Sequence, residues 1–306
     1  MHHHNNFDGL RLLGAATVLI SHQFAVLGLA EPHLAGISLG RWGVMLFFAI
    51  SGYLIARSWE RDPHLLRFAL RRFLRVAPAL VVLQLLTAAA LYGLGIQNFK
   101  DNPLPAVNGS LWTIALEIDC YLLFALLAMT TRKTGLLMIG LLLIAWATGT
   151  FAKLPWIDGQ LATFGIAFGF GVLLHERPRL LRPVPTLLML ALGALVWRLS
   201  QPSFGIALIA AVLSIQIGVR AWPVWQHAGR YGDLSYGLYL YAFPVQQLLV
   251  LALGAQRPYL AMLALTATVT LPLAWLSWHC VERPALRLKP ALAPRPAAQA
   301  EAATSA

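Results

Sequence analysis

The chain has 306 residues, of which 58% are apolar and only 11% charged, with 23 Lys and Arg against 12 Asp and Glu and a formal net charge of +11. A water-soluble domain carries roughly 25% charged residues, so this chain lacks the polar material to cover a surface in water and reads as an integral membrane protein. The positive excess would point to nucleic acid in a soluble domain; here it is loop charge that holds a topology, and no nucleic-acid partner is implied.

A bilayer core of about 30 Å requires about 20 apolar helical residues. On that measure the sequence predicts an all-α, polytopic bundle of about ten transmembrane helices over roughly residues 12–30, 41–56, 76–95, 111–130, 134–152, 157–174, 184–199, 203–219, 234–253 and 258–280. The residues before the first run, MHHHNNFDGLR, contain no small-residue cleavage site, so the first helix is expected to be retained. With the N-terminus in the cytoplasm, every Lys and Arg except Arg41, Lys100, Lys153, Arg198 and Arg257 falls on the cytoplasmic side. That asymmetry predicts two cytoplasmic termini and a multi-pass protein of the inner membrane. The connection from Ile96 to Ser110 is rich in Asn, Pro and Gly and reads as an ordered turn region or a lid. Residues 1–289 form one transmembrane domain, and the Pro/Ala-rich segment 290–306 is expected to be a disordered cytoplasmic tail. Cys120 and Cys280 lie in apolar runs without CxxC spacing, so both are expected to be buried core thiols, with no disulfide framework and no metal site implied.

Ionisable groups at membrane depth cost about 2.5–3.5 kcal/mol each on insertion scales, which makes them the functional candidates. They are His22, Glu117, Asp119, His279 and Glu282. His22 follows Arg11 by about three helical turns, a rise of about 16 Å, so the two share a helix face. That face offers a cation at the cytoplasmic mouth and an imidazole near the midplane, which suits an anionic cofactor entering from below. The alternative is a core histidine hydrogen-bonded to a neighbouring helix. Glu117, about 9 Å below the outer surface, is expected to meet His22 near the middle. Thr113 and Tyr121 share the Glu117 face, whereas Asp119 points away and reads as structural. Arg67, Arg71 and Arg75 recur at i, i+4, i+8, and Arg72 with Arg75 forms an RxxR pair. Such a cluster clamps phosphates through guanidinium forks, or anchors the helix to anionic lipid headgroups. Ser51 has no GxSxG elbow and, with Gly43 and Gly52, reads as close packing near the site. The segment DLSYGLYLYAFPVQQ brings Tyr236, Tyr239, Tyr241, Gln246 and Gln247 to the ninth helix, where aromatics commonly form an interfacial belt.

Taken in order, the stretches FDGLRLLGAATVLISH, GVMLFFAISGYLIARSW, RFALRRFLRVAPAL, SLWTIALEIDCYLL, LSYGLYLYAFPV and VERPALRL, spread from Phe7 to Leu288, resemble membrane acyltransferase family 3. These are the polytopic O-acyltransferases that modify O-antigen, exopolysaccharide and other surface glycans. The resemblance implies transfer of an acyl group, usually acetyl from cytoplasmic acetyl-CoA or another acyl-CoA, to a sugar hydroxyl across the bilayer, with no metal. By that likeness Arg11 and His22 match the family's essential pair and Glu117 its span-four acid, so these three are the expected catalytic set. Arg72 and Arg75 match its RxxR motif and, with Arg71, form the expected acyl-CoA-binding set. Asp8, Ser51, Tyr121, Tyr236, Tyr239 and Glu282 are expected to support them. Ala242 stands where the family's span-nine motif often carries a histidine. Acceptor choice is expected to rest on the outer loops or on a polysaccharide-assembly partner protein. Two rivals bear on the same residues. One is a proton-coupled transporter or flippase using His22 and Glu117 as a relay, and the other is a scaffold for which neither His22 nor Arg72 matters.

Overall fold

The computed structural model describes residues 6–96, 99–153, 159–199, 202–220 and 232–289; the expected tail over 290–306 lies outside the described residues. Each predicted apolar run overlaps a helix, and the run over 134–152 overlaps two. In chain order these are α1 (Phe7–Val26), α2 (Leu39–Arg61), α3 (Leu65–Gly93), α4 (Trp112–Ala128), α5 (Thr134–Ala147), the short α6 (Thr150–Lys153), α7 (Leu161–Glu176), α8 (Pro183–Leu199), α9 (Pro202–Val219), α10 (Ser235–Leu253) and α11 (Tyr259–Ser277). A π-type turn, Trp278–Glu282, joins α11 to the short α12 (Arg283–Arg287). The all-α membrane bundle expected from composition is present. Among the described residues, six helices are long and apolar enough to cross a membrane: α1, α2, α3, α9, α10 and the extended Tyr259–Arg287 segment. Helices α4, α5, α7 and α8 run from 14 to 17 residues, about 21–26 Å at 1.5 Å per residue.

Small residues set where the helices cross. A Cβ on Gly43 of α2 would collide with the Gly14 carbonyl of α1. One on Gly52 would strike the Phe168 carbonyl of α7, and one on Gly171 of α7 would strike the Ala49 carbonyl. The α2 helix is therefore clasped backbone to backbone on two sides, as membrane helices do where small side chains permit close approach. Amides fasten the far end. Gln246 of α10 donates to Leu19 O at 2.9 Å and to Gln23 Oε1 at 3.1 Å, and Thr266 of α11 donates to the same Gln23 oxygen at 2.9 Å. In the described part of the connection before α4, Asn102 donates to Gln247 Oε1 at 2.7 Å and Asn108 to Leu240 O at 3.1 Å.

Three expectations are corrected. The first helix starts at Phe7 rather than near residue 12, because Asp8 and Arg11 lie within its first turns and face a polar cavity instead of a loop. His22 consequently sits four residues from the end of α1 at Val26, about 6 Å along the axis, and not at the middle of the helix. Between α1 and α2 the chain forms a small antiparallel hairpin, β1 (His33–Leu34) with β2 (Ile37–Ser38), turned by Ala35 and Gly36 at φ 55° and 82°. Cys120 is buried as expected, but Cys280 is exposed. It lies in the π-type turn, whose geometry directs Glu282 inward, 2% exposed, and leaves Cys280 on the opposite side.

Candidate active site

Helix starts and ends converge on a cavity of about 490 Å³ at the end of the bundle where α1 begins. The first turns of α1 contribute Asp8 and Arg11, α3 contributes Arg72 and Arg75, and α4 contributes Glu117 and Tyr121. Asp233 precedes α10, Tyr236 and Tyr239 lie on its first turns, and Lys289 follows α12.

Asp233 is the hub of the charges. Its Oδ2 lies 2.5 Å from Arg75 Nη2 and 3.7 Å from Arg11 Nη1, and its Oδ1 accepts from Ser235 Oγ at 2.5 Å. Burial opposes its charge, but Arg75, Arg11 and the Ser235 hydroxyl override that penalty and hold the carboxylate at about 2. Arg75 also reaches Glu282 Oε2 at 3.6 Å, stacks over the Tyr236 ring at 5.5 Å, and so is fixed on three sides. Glu282 accepts from Ser277 Oγ at 3.1 Å. Arg72 is less engaged. It lies 6.0 Å over the Phe68 ring, and its buried Nε meets no acceptor among the described residues. The Lys289 ammonium is pushed down to about 7 by burial and then by the fields of Arg72, Arg75, Arg11 and Arg71.

Arg71 departs from the expected phosphate set. Its Nη1 pairs with Asp62 Oδ2 at 2.8 Å, beside Arg67, whose Nη2 lies 2.7 Å from Asp62 Oδ1. The Arg67 hydrogen bonds, against desolvation and with help from Arg71, hold Asp62 at about 2. The reason is helical phase. Arg72 and Arg75, three apart, share the cavity face, while Arg67 and Arg71, four apart, share the neighbouring face toward the turn between α2 and α3.

Glu117 also differs from expectation in its partners. Its Oε1 accepts from Ser51 Oγ at 2.8 Å and from the Tyr121 hydroxyl one turn on. His22 belongs to a second cavity, of about 160 Å³, at the hairpin end of the bundle. It shares that chamber with Glu31, Ser38, Arg41 and Trp112, and its ring meets Phe243 edge-on at 5.1 Å. Val44, Thr113 and Tyr239 line both cavities and form the wall between them. The Thr113 and Tyr239 hydroxyls lie 2.5 Å apart, and each also bonds to Ser110 O. Thr113 stands one α4 turn from Glu117, so a residue of the same helix face occupies the level at which Glu117 and His22 were expected to meet.

Asp233, Lys289, Glu31, Arg41 and Trp112 were not among the expected site residues. Asp233 sits two residues before the helical Ser235, a helix-entry position that draws acidic side chains. Glu31 is the only acid between α1 and α2.

The model of a family described as an acyltransferase domain matches residues 4–279. An O-acetyl transferase of Shigella phage Sf6 is 30% identical over 92% of this chain and 96% of its own length. Nodulation protein 10 of Rhizobium leguminosarum bv. viciae is 26% identical over 96% of each chain. No solved structure matches.

Proposed function

The chain belongs to the membrane acyltransferase 3 family and is an O-acyltransferase, and on that premise we propose that it works in the inner membrane, moving an acyl group, acetyl above all, from cytoplasmic acyl-CoA to a hydroxyl of a surface or exported glycan. The donor enters the larger cavity and the acceptor meets its thioester beside His22. The observation that carries this reading is the pair of cavities, one rich in cations and one holding the imidazole, with Val44, Thr113 and Tyr239 in common.

The donor set fits polyphosphate. Arg11, Arg72, Arg75 and Lys289 line one chamber, guanidinium forks match phosphate oxygens bidentately, and the buried Nε of Arg72 lacks an acceptor that a phosphate oxygen would supply. The excess of Lys and Arg on the loops at this end supports its cytoplasmic assignment. Arg11 and His22 lie about 16 Å apart along α1, a span that the long arm of a CoA ester bridges once its thioester passes the shared wall. Glu117, held by Ser51 and Tyr121, lines that route one turn short of the wall and positions the arm. At the far side His22 takes the acceptor hydroxyl's proton as the oxygen attacks the thioester carbonyl. A C–O bond forms, the C–S bond breaks, and the proton passes from His22 to the departing sulfur, so the transfer consumes no net proton. A transporter relay from His22 to Glu117 has no need of the Arg11, Arg72 and Arg75 cluster that lines the larger cavity, whereas the acyl-CoA reading requires it.

The test is purified protein in lipid nanodiscs with [14C]acetyl-CoA and the producing cell's own surface polysaccharide, stripped of esters by mild alkali. Label is expected in an alkali-labile glycan ester. His22→Ala is expected to lower that transfer by about 10²-fold or more while donor affinity is retained. Wild-type transfer by His22→Ala, or no ester formed by the wild type, overturns the proposal.

A further inference from the structure

The chamber around His22 contains a second charged partner that the donor cavity does not supply. Glu31 and His22 line it together, with Ser38, Arg41 and Trp112. The Glu31 carboxylate is tied to the very helix that carries the imidazole: Ser21 Oγ, on the residue before His22, donates to Glu31 Oε2 at 2.5 Å. Its main chain is tied to the hairpin, where His33 Nδ1 lies 2.7 Å from Glu31 O. Among the described residues, Oε1 of Glu31 accepts no hydrogen bond, and no hydrogen bond or salt bridge joins Glu31 to the His22 ring. The other charge on the chamber wall, Arg41, is engaged by Gln160 and stacks over Phe164 at 5.1 Å.

From this geometry, and resting on the proposed acyl transfer, we infer that the small cavity is the acceptor-sugar subsite and that Glu31 is its positioning acid. A sugar unit presents hydroxyls and an apolar C–H face. The chamber answers with a carboxylate oxygen free to accept, the Ser38 hydroxyl and the Trp112 indole. When His22 takes the acceptor proton it becomes an imidazolium, and the nearby fixed carboxylate stabilises that charge as it develops. Glu31 is a positioning residue. It neither attacks nor protonates the substrate, and it acts through the imidazole and through the orientation of the sugar.

The experiment uses full-length protein in nanodiscs with acetyl-CoA and de-esterified polysaccharide, and reads kcat, the KM for polysaccharide and the Kd for CoA separately. Glu31→Gln is expected to lower kcat about 10- to 100-fold with the Kd for CoA unchanged, and Glu31→Asp to recover at least part of that loss. Trp112→Phe, which keeps an aromatic wall, is expected to raise the KM for polysaccharide about 3- to 10-fold with donor affinity again unchanged. A wild-type kcat in Glu31→Gln overturns the inference, as does a loss that the Asp variant fails to recover or one matched by lost CoA binding. If His22→Ala still transfers acetyl, or the wild type esterifies no glycan, the proposed function has failed. If His22→Ala is inactive while Glu31→Gln works normally, this inference alone has failed.

Discussion

The two cavities solve opposite electrostatic problems. In the larger one, Arg11, Arg72, Arg75 and Lys289 face one another and would repel in an empty chamber; Asp8, Glu117 and Asp233 are interleaved among them. Asp233 alone engages both Arg11 and Arg75. In the smaller one a single imidazole and a single acid share the wall without touching, which leaves the imidazole's proton chemistry open to a substrate. The larger chamber is organised to hold charge and the smaller one to move a proton. Perturbations of the first should change binding and stability, and perturbations of the second should change turnover.

The sharpest break of this comparison is His22→Ala, with its loss of about 10²-fold or more in transfer and none in donor affinity. Next in size is Asp233→Asn. It keeps the shape but strips Arg11 and Arg75 of their common counter-charge, and breaking a buried pair by removing one partner costs about 3–5 kcal/mol. Thermal unfolding in nanodiscs should show the loss, together with weaker CoA binding. The pH dependence follows from the same group. The folded carboxylate titrates at about 2 and an unfolded aspartate near about 3.9. Its contribution is therefore complete above about pH 4 and fades as pH falls toward 2, a dependence that Asp233→Asn should remove in part. Asp62, also held at about 2 by Arg67 and Arg71, accounts for a share that survives the substitution.

The wall offers a finer cut, because Val44 borders both chambers and takes part in no hydrogen-bonded pair described for them. Val44→Ala should widen the passage and raise the rate with propionyl- or butyryl-CoA relative to acetyl-CoA several-fold, while Val44→Ile should lower transfer with CoA affinity unchanged. Equal effects on binding and transfer would show that the chambers are not separated at this residue. A shift of chain-length preference in the opposite direction would show that the acyl group does not pass here.

What the sequence made legible is what hydropathy and helical phase encode. The apolar runs located the helices, the spacing of Arg11 and His22 put them on one face, and the four-residue step from Glu117 to Tyr121 anticipated their contact. The residues it concealed lie where the chain leaves the helices. Asp233, Lys289 and Glu31 sit outside the apolar runs, so a search for ionisable groups at membrane depth passes over them, and only the convergence of distant segments brings them into a chamber. The helix boundary failed for a related reason. Starting the first span after the last charged residue is sound for a helix facing lipid on all sides, yet α1 presents Asp8 and Arg11 to a polar cavity. Shifting its bounds to Phe7–Val26 moved His22 from the middle of the helix to its hairpin end. That shift dissolved the expected meeting with Glu117 and left Glu31 as the acid beside the imidazole.

The smallest expected effect concerns Lys289, whose position among the arginines makes it the most responsive cation in the donor chamber. Burial and four neighbouring guanidinium groups hold it at about 7, so in the empty chamber it loses its charge as pH rises through neutrality. A bound phosphate favours the charged form, so CoA binding should take up a proton near Lys289 and weaken as pH rises from 6 to 8, by at most about tenfold. The second ionisation of a phosphate monoester, near pH 6, works the other way by adding negative charge as pH rises, so the wild-type slope alone does not isolate the lysine. Lys289→Arg does, because a guanidinium keeps its charge across this range. Isothermal titration with CoA at pH 6, 7 and 8 should give an affinity for Lys289→Arg that, relative to wild type, improves steadily with pH. A constant ratio would mean that the lysine does not titrate against the ligand, and that Arg11, Arg72 and Arg75 alone form the phosphate site.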